Sequence, residues 1–315
     1  MVSPSTGGRY FLRAVAEVSA DGGAGAPRVL ILGCGFLGSQ LARRCAESGA
    51  RVLAVDAEAG KDATDVTEAS EVSALVRCGA GCAAVLRGDA AEARVLSRAL
   101  GLLGAPDELF VCTATHGGSP AAYRRAYGGV LEALLPLLPT GARLVFCSSV
   151  SVYAESAGGA VDESSLCVPS APRVRALLEA EALALEAGGA VARLSPLYDA
   201  GRCELLRRHE AGEPRLPGPG ARCLNYVHRE DAVEALRLMA RLPGGGVFNV
   251  CGESLSVDEA YAMLEELTGV LRAPEEAACS RRGLSNRRVL CPRLRAAGWR
   301  PRHSLRAFVS EGLRP

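Results

Sequence analysis

Lysine is almost absent from this sequence of 315 residues, since Lys61 is its only lysine and nearly all basic residues are arginines. Acidic and basic residues balance at a formal net charge of +1, which argues against a nucleic-acid partner and against binding to an acidic membrane surface. Alanine and glycine are abundant. The excess of arginine therefore indicates a GC-rich coding bias, not a selection for phosphate binding.

Long apolar runs and closely paired cysteines are missing as well. No stretch reaches the roughly 20 apolar residues that a membrane-spanning helix needs. None of the 12 cysteines forms a C-x-x-C pair, and several lie inside apolar runs, as Cys112 and Cys147 do. We therefore expect reduced, buried thiols in place of disulfides, and we predict no metal site.

Residues 1–27 precede the first strand pattern and are predicted to be a flexible extension. A transit peptide is the alternative interpretation, because the segment contains serines and arginines. Transit peptides are usually poor in acidic residues, however, and Glu17 and Asp21 lie within this segment. We predict a cytoplasmic protein, and an organelle location follows only if the extension is a transit peptide.

A glycine motif follows, between two strand patterns. Residues 28–32 (RVLIL) form an apolar run typical of a strand that is buried on both faces, and residues 51–56 (RVLAVD) form a second such run. Between them, Gly33, Gly35 and Gly38 form G-x-G-x-x-G and open a helix pattern. In this motif the first glycine permits a tight turn, the second lets a pyrophosphate approach the backbone, and the third lets the helix pack closely.

The same motif predicts a site for NAD. The amide groups at the start of the helix, at Phe36 and Leu37, face the phosphates with the support of the helix dipole. Asp56 ends the second strand, where a carboxylate accepts hydrogen bonds from ribose hydroxyls and repels a 2′-phosphate, so that NADP is disfavoured. We place Asp89, which follows the third strand pattern, near the adenine end of the cofactor.

Strand and helix patterns alternate further along the chain, which predicts an α/β fold: a doubly wound parallel Rossmann sheet with a small C-terminal substrate lobe. The fourth strand is expected beside the first strand, and the fifth beside the fourth, so that the segments after both open onto the cofactor cleft. Residues 28–194 are predicted to be the Rossmann domain. Residues 195–315 are predicted to be mainly substrate lobe, with the chain returning to the core near 229–250. The patterns place the later strands within 82–89, 107–114, 142–149 and 189–195, and helices over about 120–138 and 173–187.

These segments resemble the NAD-dependent epimerase/dehydratase family of extended short-chain dehydrogenases/reductases over roughly residues 28–315. The resemblance implies an oxidoreductase or epimerase/dehydratase-like enzyme that acts on a hydroxyl or carbonyl carbon of a small substrate such as a sugar derivative. A homodimer follows only by analogy with the family. Besides the glycine motif, the likeness rests on Gly88-Asp89, SSVSVY (148–153), DESS (162–165), RLSPLYDAGR (193–202), NYVHREDAVEAL (225–236) and the tail at 294–313.

The sequence departs from the family at the catalytic helix. The resemblance implies that Ser149 binds the substrate oxygen and that a Tyr-x-x-x-Lys on the next helix supplies the acid/base. The matching helix here has Arg173 in the tyrosine slot and Leu177 in the lysine slot. No tyrosine lies between Tyr153 and Tyr198, and no lysine follows in this part of the chain, so a shifted alignment cannot restore the pair.

Two functions therefore stay open. An enzyme would bind the reacting oxygen with Ser149 and move the proton with another group, such as His116 in the loop after the fourth strand or water. A non-catalytic scaffold or sensor that binds NAD(H) would also lack the pair. The alternatives for the two residues are a strand end for Ser149 and a solvated loop for His116.

Four further residues have either a predicted structural role or two open interpretations. Tyr153 is a second candidate for proton transfer, although packing under the following loop is the simpler interpretation. Asp231 is placed to cap or start a helix, and Trp299 to pack the C-terminal tail. Arg173 either binds an anion or lies on a solvated helix face.

Overall fold

The computed structural model of the protein describes residues 25–57, 72–78, 81–115, 118–271 and 285–312, without the side chains of 72–82. The predicted extension at 1–27 lies outside the described residues up to residue 24. Lys61 and His116, the predicted proton-transfer residue, also lie outside them.

Short strands and helices alternate through the described residues. The strands are β1 (Arg28–Leu32), β2 (Arg51–Asp56), β3 (Val72–Cys78), β4 (Gly81–Arg87), β5 (Glu108–Val111), β6 (Arg143–Ser149), β7 (Ala160–Val161), β8 (Ala190–Leu194), β9 (Leu197–Tyr198), β10 (Cys223–His228), β11 (Gly246–Val250), β12 (Glu253–Ser256) and β13 (Arg288–Val289). The α-helices are α1 (Phe36–Glu47), α2 (Ala93–Leu103), α3 (Pro120–Arg124), α4 (Val130–Leu134), α5 (Pro172–Glu186), α6 (Glu204–Glu210), α7 (Arg229–Arg241), α8 (Val257–Thr268), α9 (Pro292–Ala296) and α10 (Leu305–Gly312).

The largest sheet has the strand order β11-β8-β6-β5-β1-β2-β4-β3. Seven of its strands are parallel, and β3 pairs antiparallel with β4 at one edge. β5 pairs with β1, and β6 pairs with β5, as the sequence predicts for its fourth and fifth strands. The doubly wound parallel sheet is therefore confirmed, and the antiparallel edge strand β3 is an addition that the sequence patterns did not predict.

The central strand β1 explains why the glycine motif is held rigidly. It lies between β5 and β2, and Leu30, Ile31 and Leu32 are each 0% exposed. Full burial of each such side chain contributes about 1.5–3 kcal/mol, so the carboxyl end of β1 has little freedom to move. Gly33 follows this end directly, which places the motif where ligands bind in open α/β sheets.

The chain divides into two compact units, each made of three segments. The first unit contains the glycine motif and α5, and the second contains Ser149 and the tail. The first unit is Met1–Ser148, Pro169–Val191 and Leu236–Gly246, and the second is Ser149–Val168, Ala192–Ala235 and Val247–Pro315. No helix in the described ranges is long and apolar enough to cross a membrane.

The second unit has its own core around α8 and a small sheet with the order β12-β10-β9. Tyr198, Tyr261 and Leu305 are buried in this core. The helix α8 begins with a capping box, in which Ser256 Oγ accepts the Glu259 amide at 3.1 Å and the Glu259 carboxylate accepts the Ser256 amide at 2.7 Å. This reciprocal pair satisfies two amides that a helix start otherwise leaves without partners.

A buried carboxylate in the second unit fixes the C-terminal tail to the first turn of α7. Asp231 accepts the backbone amides of Arg302 and His303, each at 3.0 Å, and the Asp231 carbonyl accepts Trp299 Nε1 at 3.1 Å. The His303 ring stacks on His228, with 4.0 Å between the ring centroids. Asp231 and Trp299 thus have the structural roles that the sequence predicts.

Candidate active site

Two of the three motif glycines are required by the protein's own backbone. Gly33 has a φ of +94°, and a Cβ there would lie 2.8 Å from the carbonyl carbon of Cys112 and from the amide nitrogen of Thr113. A Cβ at Gly38 would overlap the carbonyl oxygen of Gly33 and contact Ile31. The absence of a side chain at Gly38 therefore mainly lets the start of α1 lie close to the glycine turn. It also allows the packing on the sheet that the motif predicts.

Gly35 is different, because nothing in the protein requires a glycine there. Its φ of −73° suits any residue, and no heavy atom beyond its chain neighbours lies within 4 Å of where a Cβ would be. This open space lies at the start of α1, whose first turn carries no acidic residue. A pyrophosphate can occupy the space and face the first amides of the helix at Phe36 and Leu37, so the turn fits a dinucleotide.

Asp56 holds the glycine turn in addition to its predicted contact with ribose. Its Oδ2 accepts the Cys34 amide at 2.8 Å, and the Val55 carbonyl accepts the Gly33 amide at 2.8 Å. Hydrogen bonds to charged groups contribute about 1.5–3 kcal/mol, so Asp56 also stabilises the turn. Burial and the neighbouring Asp56 charge raise the pKa of the Cys34 thiol to about 12.

Asp89 lies one strand away from Asp56, just beyond the end of β4. The Asp56 carbonyl accepts the Gly88 amide at 3.0 Å, which places the Gly-Asp pair beside the end of β2. Asp89 accepts Arg125 Nε at 2.8 Å and the Ala91 amide at 2.8 Å. The ion pair is exposed, and such pairs contribute about 0–1 kcal/mol, so a ligand can displace it at small cost.

Ser149 ends β6 and caps the short 3-10 turn Val150–Val152, since its Oγ accepts the Ser151 amide at 3.2 Å. Arg287 holds this turn from the other side, donating to the carbonyls of Val150 at 2.7 Å and Glu155 at 2.8 Å. A hydroxyl that accepts one hydrogen bond can still donate its proton. The geometry is therefore compatible both with a strand-end cap and with binding of a substrate oxygen.

The second proton-transfer candidate, Tyr153, is held in the interior of the second unit. Its hydroxyl donates to Asn249 Oδ1 at 2.6 Å, and the Arg193 guanidinium lies 5.0 Å from its ring centroid. Burial raises the pKa of Tyr153 to about 12, although Arg193 and Asn249 act in the opposite direction. Tyr153 therefore has the packing role that was the simpler interpretation of the sequence.

The helix α5 has lost the catalytic pair but is firmly joined to the sheet of the first unit. Arg173 is exposed at the start of the helix, whereas Leu177, in the lysine slot, is only 2% exposed. One turn further, the buried Glu181 accepts Ser148 Oγ at 2.5 Å. Ser148 thus links β6 to α5. The sequence did not predict this contact, because the two residues are 33 positions apart and only folding brings them together.

A buried arginine in the second unit was also missed. Arg222 is 7% exposed, and among the described residues no carboxylate pairs with it and its Nε has no hydrogen-bond partner. Burial lowers the pKa of Arg222 while the neighbouring Tyr226 and Tyr261 hydroxyls raise it. A buried cation without a counter-charge is costly, so the position favours an anionic ligand. In an arginine-rich sequence nothing distinguishes this arginine from the others.

Metal ligands do not gather in the part of the chain that the structure describes, where no group of three or more His, Cys, Asp and Glu side chains could hold an ion. The prediction of unpaired thiols holds for Cys112 and Cys147, of which Cys147 is buried and Cys112 is half-buried. These two lie side by side with their sulfurs 3.6 Å apart and are not disulfide-bonded.

A sequence profile described as the NAD dependent epimerase/dehydratase family matches residues 29–251, which is most of the chain. No curated protein matches the sequence.

Solved structures of sugar-nucleotide enzymes share the fold. MoeE5, solved in complex with UDP-glucose and NAD, is 26% identical with a TM-score of 0.68, covering 90% of this chain and 96% of that chain. UDP-glucose 4-epimerase of Thermotoga maritima, solved with UDP-glucose, is 20% identical with a TM-score of 0.70 and the same coverage of both chains. UDP-glucuronic acid 4-epimerase of Bacillus cereus, solved with UDP-glucuronic acid and NAD, is 17% identical with a TM-score of 0.68, covering 89% and 96%. The last two show a common fold only.

Proposed function

Because the chain belongs to the NAD dependent epimerase/dehydratase family, we propose that it is an NAD-dependent enzyme acting on a hydroxyl or carbonyl carbon of a sugar nucleotide. The predictions of the family, of an enzyme and of NAD as its cofactor are confirmed at the level of the family. The observation that carries the finer proposal is the buried, unpaired Arg222 in the unit that holds Ser149.

The glycine turn supplies the cofactor half of the proposal. The open face of Gly35 takes the pyrophosphate against the first amides of α1, and Asp56 accepts hydrogen bonds from the adenosine ribose. We assign Asp89, which follows the strand that pairs with β2, to the adenine end of the cofactor. NAD accepts and returns a hydride, so the chain itself must orient the substrate and move a proton.

Arg222 supplies the substrate half. A guanidinium presents a planar fork of donors that matches two phosphate oxygens, and it stays charged at neutral pH. The diphosphate of a sugar nucleotide provides the counter-charge that the described residues do not. MoeE5, the one of the three relatives above 25% identity, was solved with UDP-glucose, which supports this class of substrate. We assign the substrate lobe mainly to residues 195–315, with the chain returning to the core near 229–250, and Ser149 to the reacting oxygen.

A protein that binds NAD(H) without turnover is the second candidate, because Arg173 and Leu177 replace the acid/base pair. The two candidates share the cofactor site and differ in whether hydride is transferred.

The test begins with fluorescence titrations of the purified protein with NADH and NADPH. We expect NADH to bind with a micromolar Kd and NADPH to bind more weakly. Asp56→Asn keeps an acceptor for the Cys34 amide but removes the negative charge. The ratio of the Kd for NADPH to the Kd for NADH should therefore fall, while the hydrogen bond that holds the turn is kept. Equal binding of both cofactors by the unaltered protein would contradict the role given to Asp56.

The substrate is tested by incubating the NAD⁺-loaded protein with UDP-glucose and UDP-glucuronic acid and following absorbance of NADH and isomerisation of the sugar. Arg222→Met should weaken UDP binding about 100-fold by calorimetry, whereas Arg306→Met, at an exposed arginine paired with Glu266, should not. Saturable NADH binding without any hydride transfer across sugar nucleotides would favour the non-catalytic candidate.

The remaining predictions are retained as parts of this proposal. We place the enzyme in the cytoplasm, with no nucleic-acid partner, and we propose a homodimer by analogy with the family. Sedimentation of the purified protein tests the oligomeric state.

A further inference from the structure

The helical segment after β5 contains a single π turn. The sequence predicts one helix over about 120–138, and the structure has α3, a π turn at Arg125–Gly129, α4 and a 3-10 turn at Leu135–Leu137. Single π turns within α-helices are rare and occur frequently at functional sites. Tyr127 lies in the middle of this π turn and is 9% exposed.

The ring of Tyr127 is packed between the sheet and its own helix in the first unit. It meets the Phe146 ring of β6 edge-on with 6.4 Å between centroids, and it stacks on Tyr123 with 6.5 Å between centroids. The π turn also packs against α5, the helix that has lost the catalytic pair. These contacts fix the direction of the phenol.

The phenol hydroxyl lies beside the loop that follows β5, where it is within hydrogen-bonding reach of both the backbone and the side chain of Thr115. The loop follows the carboxyl end of β5, and Phe146 of β6 is in register with Val111, the last residue of β5. The carboxyl ends of parallel strands form the edge of the sheet where ligands bind, so the Tyr127 hydroxyl beside this loop lies on the ligand side of the first unit.

An arginine side chain influences the phenol of Tyr127. The charge of Arg173, in the first turn of α5, acts on Tyr127, and Arg173 occupies the slot of the missing tyrosine. Burial has the largest effect and raises the pKa of Tyr127 above its usual value, although Arg173 and the hydrogen bonds with Thr115 act in the opposite direction. A phenol whose anion is favoured by a nearby positive charge has the elements that proton transfer to and from a substrate oxygen requires, namely a titratable hydroxyl and stabilisation of its anion.

We propose that Tyr127 is the proton donor of this enzyme and that Arg173 stabilises its phenolate, in place of the absent Tyr-x-x-x-Lys pair. The inference rests on the proposed function. In the reducing direction the substrate carbonyl carbon receives a hydride from NADH while its oxygen receives the Tyr127 proton, which leaves NAD⁺, an alcohol and a phenolate that water protonates again. In the oxidising direction the phenolate takes the hydroxyl proton as the hydride leaves for NAD⁺.

This arrangement predicts a pH dependence with a definite sign. Because the phenol is protonated at neutral pH, reduction is supported there, and oxidation needs the phenolate. The oxidation rate should therefore rise with pH through the range above neutrality, about tenfold per unit, until the phenol has titrated. The groups that face the phenol and set this range are Arg173 from α5, Tyr123 from α3 and Thr115 from the loop.

The first experiment places Tyr127 without relying on turnover. The protein has seven tyrosines, so labelling with 3-fluorotyrosine gives few ¹⁹F resonances, and the one missing from Tyr127→Phe is assigned. Saturation with NAD⁺, whose nicotinamide ring is positively charged, should lower the titration midpoint of this resonance. Saturation with NADH, whose ring is neutral, should leave it higher. The same midpoint with both cofactors shows that the phenol does not face the nicotinamide and overturns the proposal. Arg173→Leu should raise the midpoint, and its exposed position makes this variant safe for folding.

The second experiment separates this inference from the proposed function by kinetics with UDP-glucose. Tyr127→Phe should lower kcat at least 100-fold with an unchanged Kd for NADH, whereas Tyr198→Phe, at a tyrosine buried in the core of the second unit, should retain activity. Arg173→Leu should lower the rate about tenfold and move the pH profile upward, and Arg175→Leu, exposed on the same helix, should change neither. Full activity in Tyr127→Phe overturns the inference and leaves the proposed function intact. If the wild-type protein shows the NAD⁺-specific ¹⁹F shift but no turnover, the position of Tyr127 beside the nicotinamide is supported and the proposed substrate is wrong.

Discussion

The glycine turn and the helix α5 belong to the same unit, but only the turn matches the family pattern. In the turn, every position fits the family pattern, and Gly33 and Gly38 are required by overlap with backbone atoms. In α5 the pattern is lost, since Arg173 is exposed and Leu177 is buried. The comparison teaches that cofactor binding and proton transfer depend on separate local structures, so one can be kept while the other is rebuilt.

The buried leucine shows that the lysine slot of α5 is part of the interior packing. A lysine at 177 would need its ammonium group to reach water or a ligand, whereas Leu177 is 2% exposed and packs in the interior. The contact between Ser148 and Glu181 adds a buried polar link between β6 and the helix. Restoring the family pattern therefore requires more than restoring the two residues.

The largest effect is expected when the lysine is restored. Burial lowers the pKa of a lysine by about three units, because the interior disfavours the charged ammonium group. Leu177→Lys should therefore lower the free energy of unfolding by about 4 kcal/mol at pH 7. The folded-state pKa is then below that of the unfolded chain, so the loss shrinks as the pH rises toward about 10. Urea unfolding at pH 7 and pH 10 measures this, with Ala182→Lys on the exposed face as the control. Equal stability of both variants would show that α5 can still accept the ammonium group.

A methyl group in the glycine turn should have the next largest effect. Gly38→Ala places a Cβ on the carbonyl oxygen of Gly33, which should cost about 3 kcal/mol of unfolding free energy and abolish NADH binding. Gly101→Ala in α2 is the matched control, because nothing lies within 4 Å of its Cβ position. The control should be neutral or slightly stabilising in thermal unfolding. A stable Gly38→Ala that binds NADH would contradict the steric role.

Gly35→Asp should separate binding from folding. The added carboxylate lies in open space, so the free energy of unfolding should stay within about 0.5 kcal/mol of wild type. It also lies where the pyrophosphate approaches, so the Kd for NADH should rise at least 100-fold in a fluorescence titration. Gly35→Ala, with its smaller and uncharged side chain, should weaken binding less. Unchanged binding in Gly35→Asp would place the phosphates elsewhere.

The smallest effect concerns the thiol in the turn. With a pKa of about 12, Cys34 should react slowly with iodoacetamide at pH 7, and its rate should rise about tenfold per pH unit between pH 8 and pH 10. Peptide mass spectrometry follows Cys34, and Asp56→Asn should speed labelling by removing a neighbouring negative charge. Rapid labelling at pH 7 would mean that the turn opens in solution.

The sequence predicted those parts of the fold that depend on neighbours along the chain. β1, the glycine turn and Asp56 follow within a single β-α-β unit, and the order of β6, β5 and β1 follows from alternation of strands and helices. The antiparallel strand β3 was not predicted, because pairing at a sheet edge has no signature in the periodicity of one strand.

The site was predicted less completely, for physical reasons that differ from residue to residue. Arg222 differs from other arginines only in its burial without a counter-charge, which depends on distant chain segments. Tyr127 was overlooked because a π turn cannot be seen in a helical pattern. The dual role of Asp56 was missed since ribose binding and the hydrogen bond to Cys34 use the same carboxylate.

The threading of the two units has a consequence for synthesis on the ribosome. The first unit includes Leu236–Gly246, and the second begins at Ser149 and continues to the C-terminus. Neither unit is complete until most of the chain has been translated, so the usual order of folding one domain before the next is unavailable. Nascent chains stopped before residue 236 should expose unfinished apolar surface and depend on chaperones, and the protein cannot be divided at one peptide bond into two folded halves.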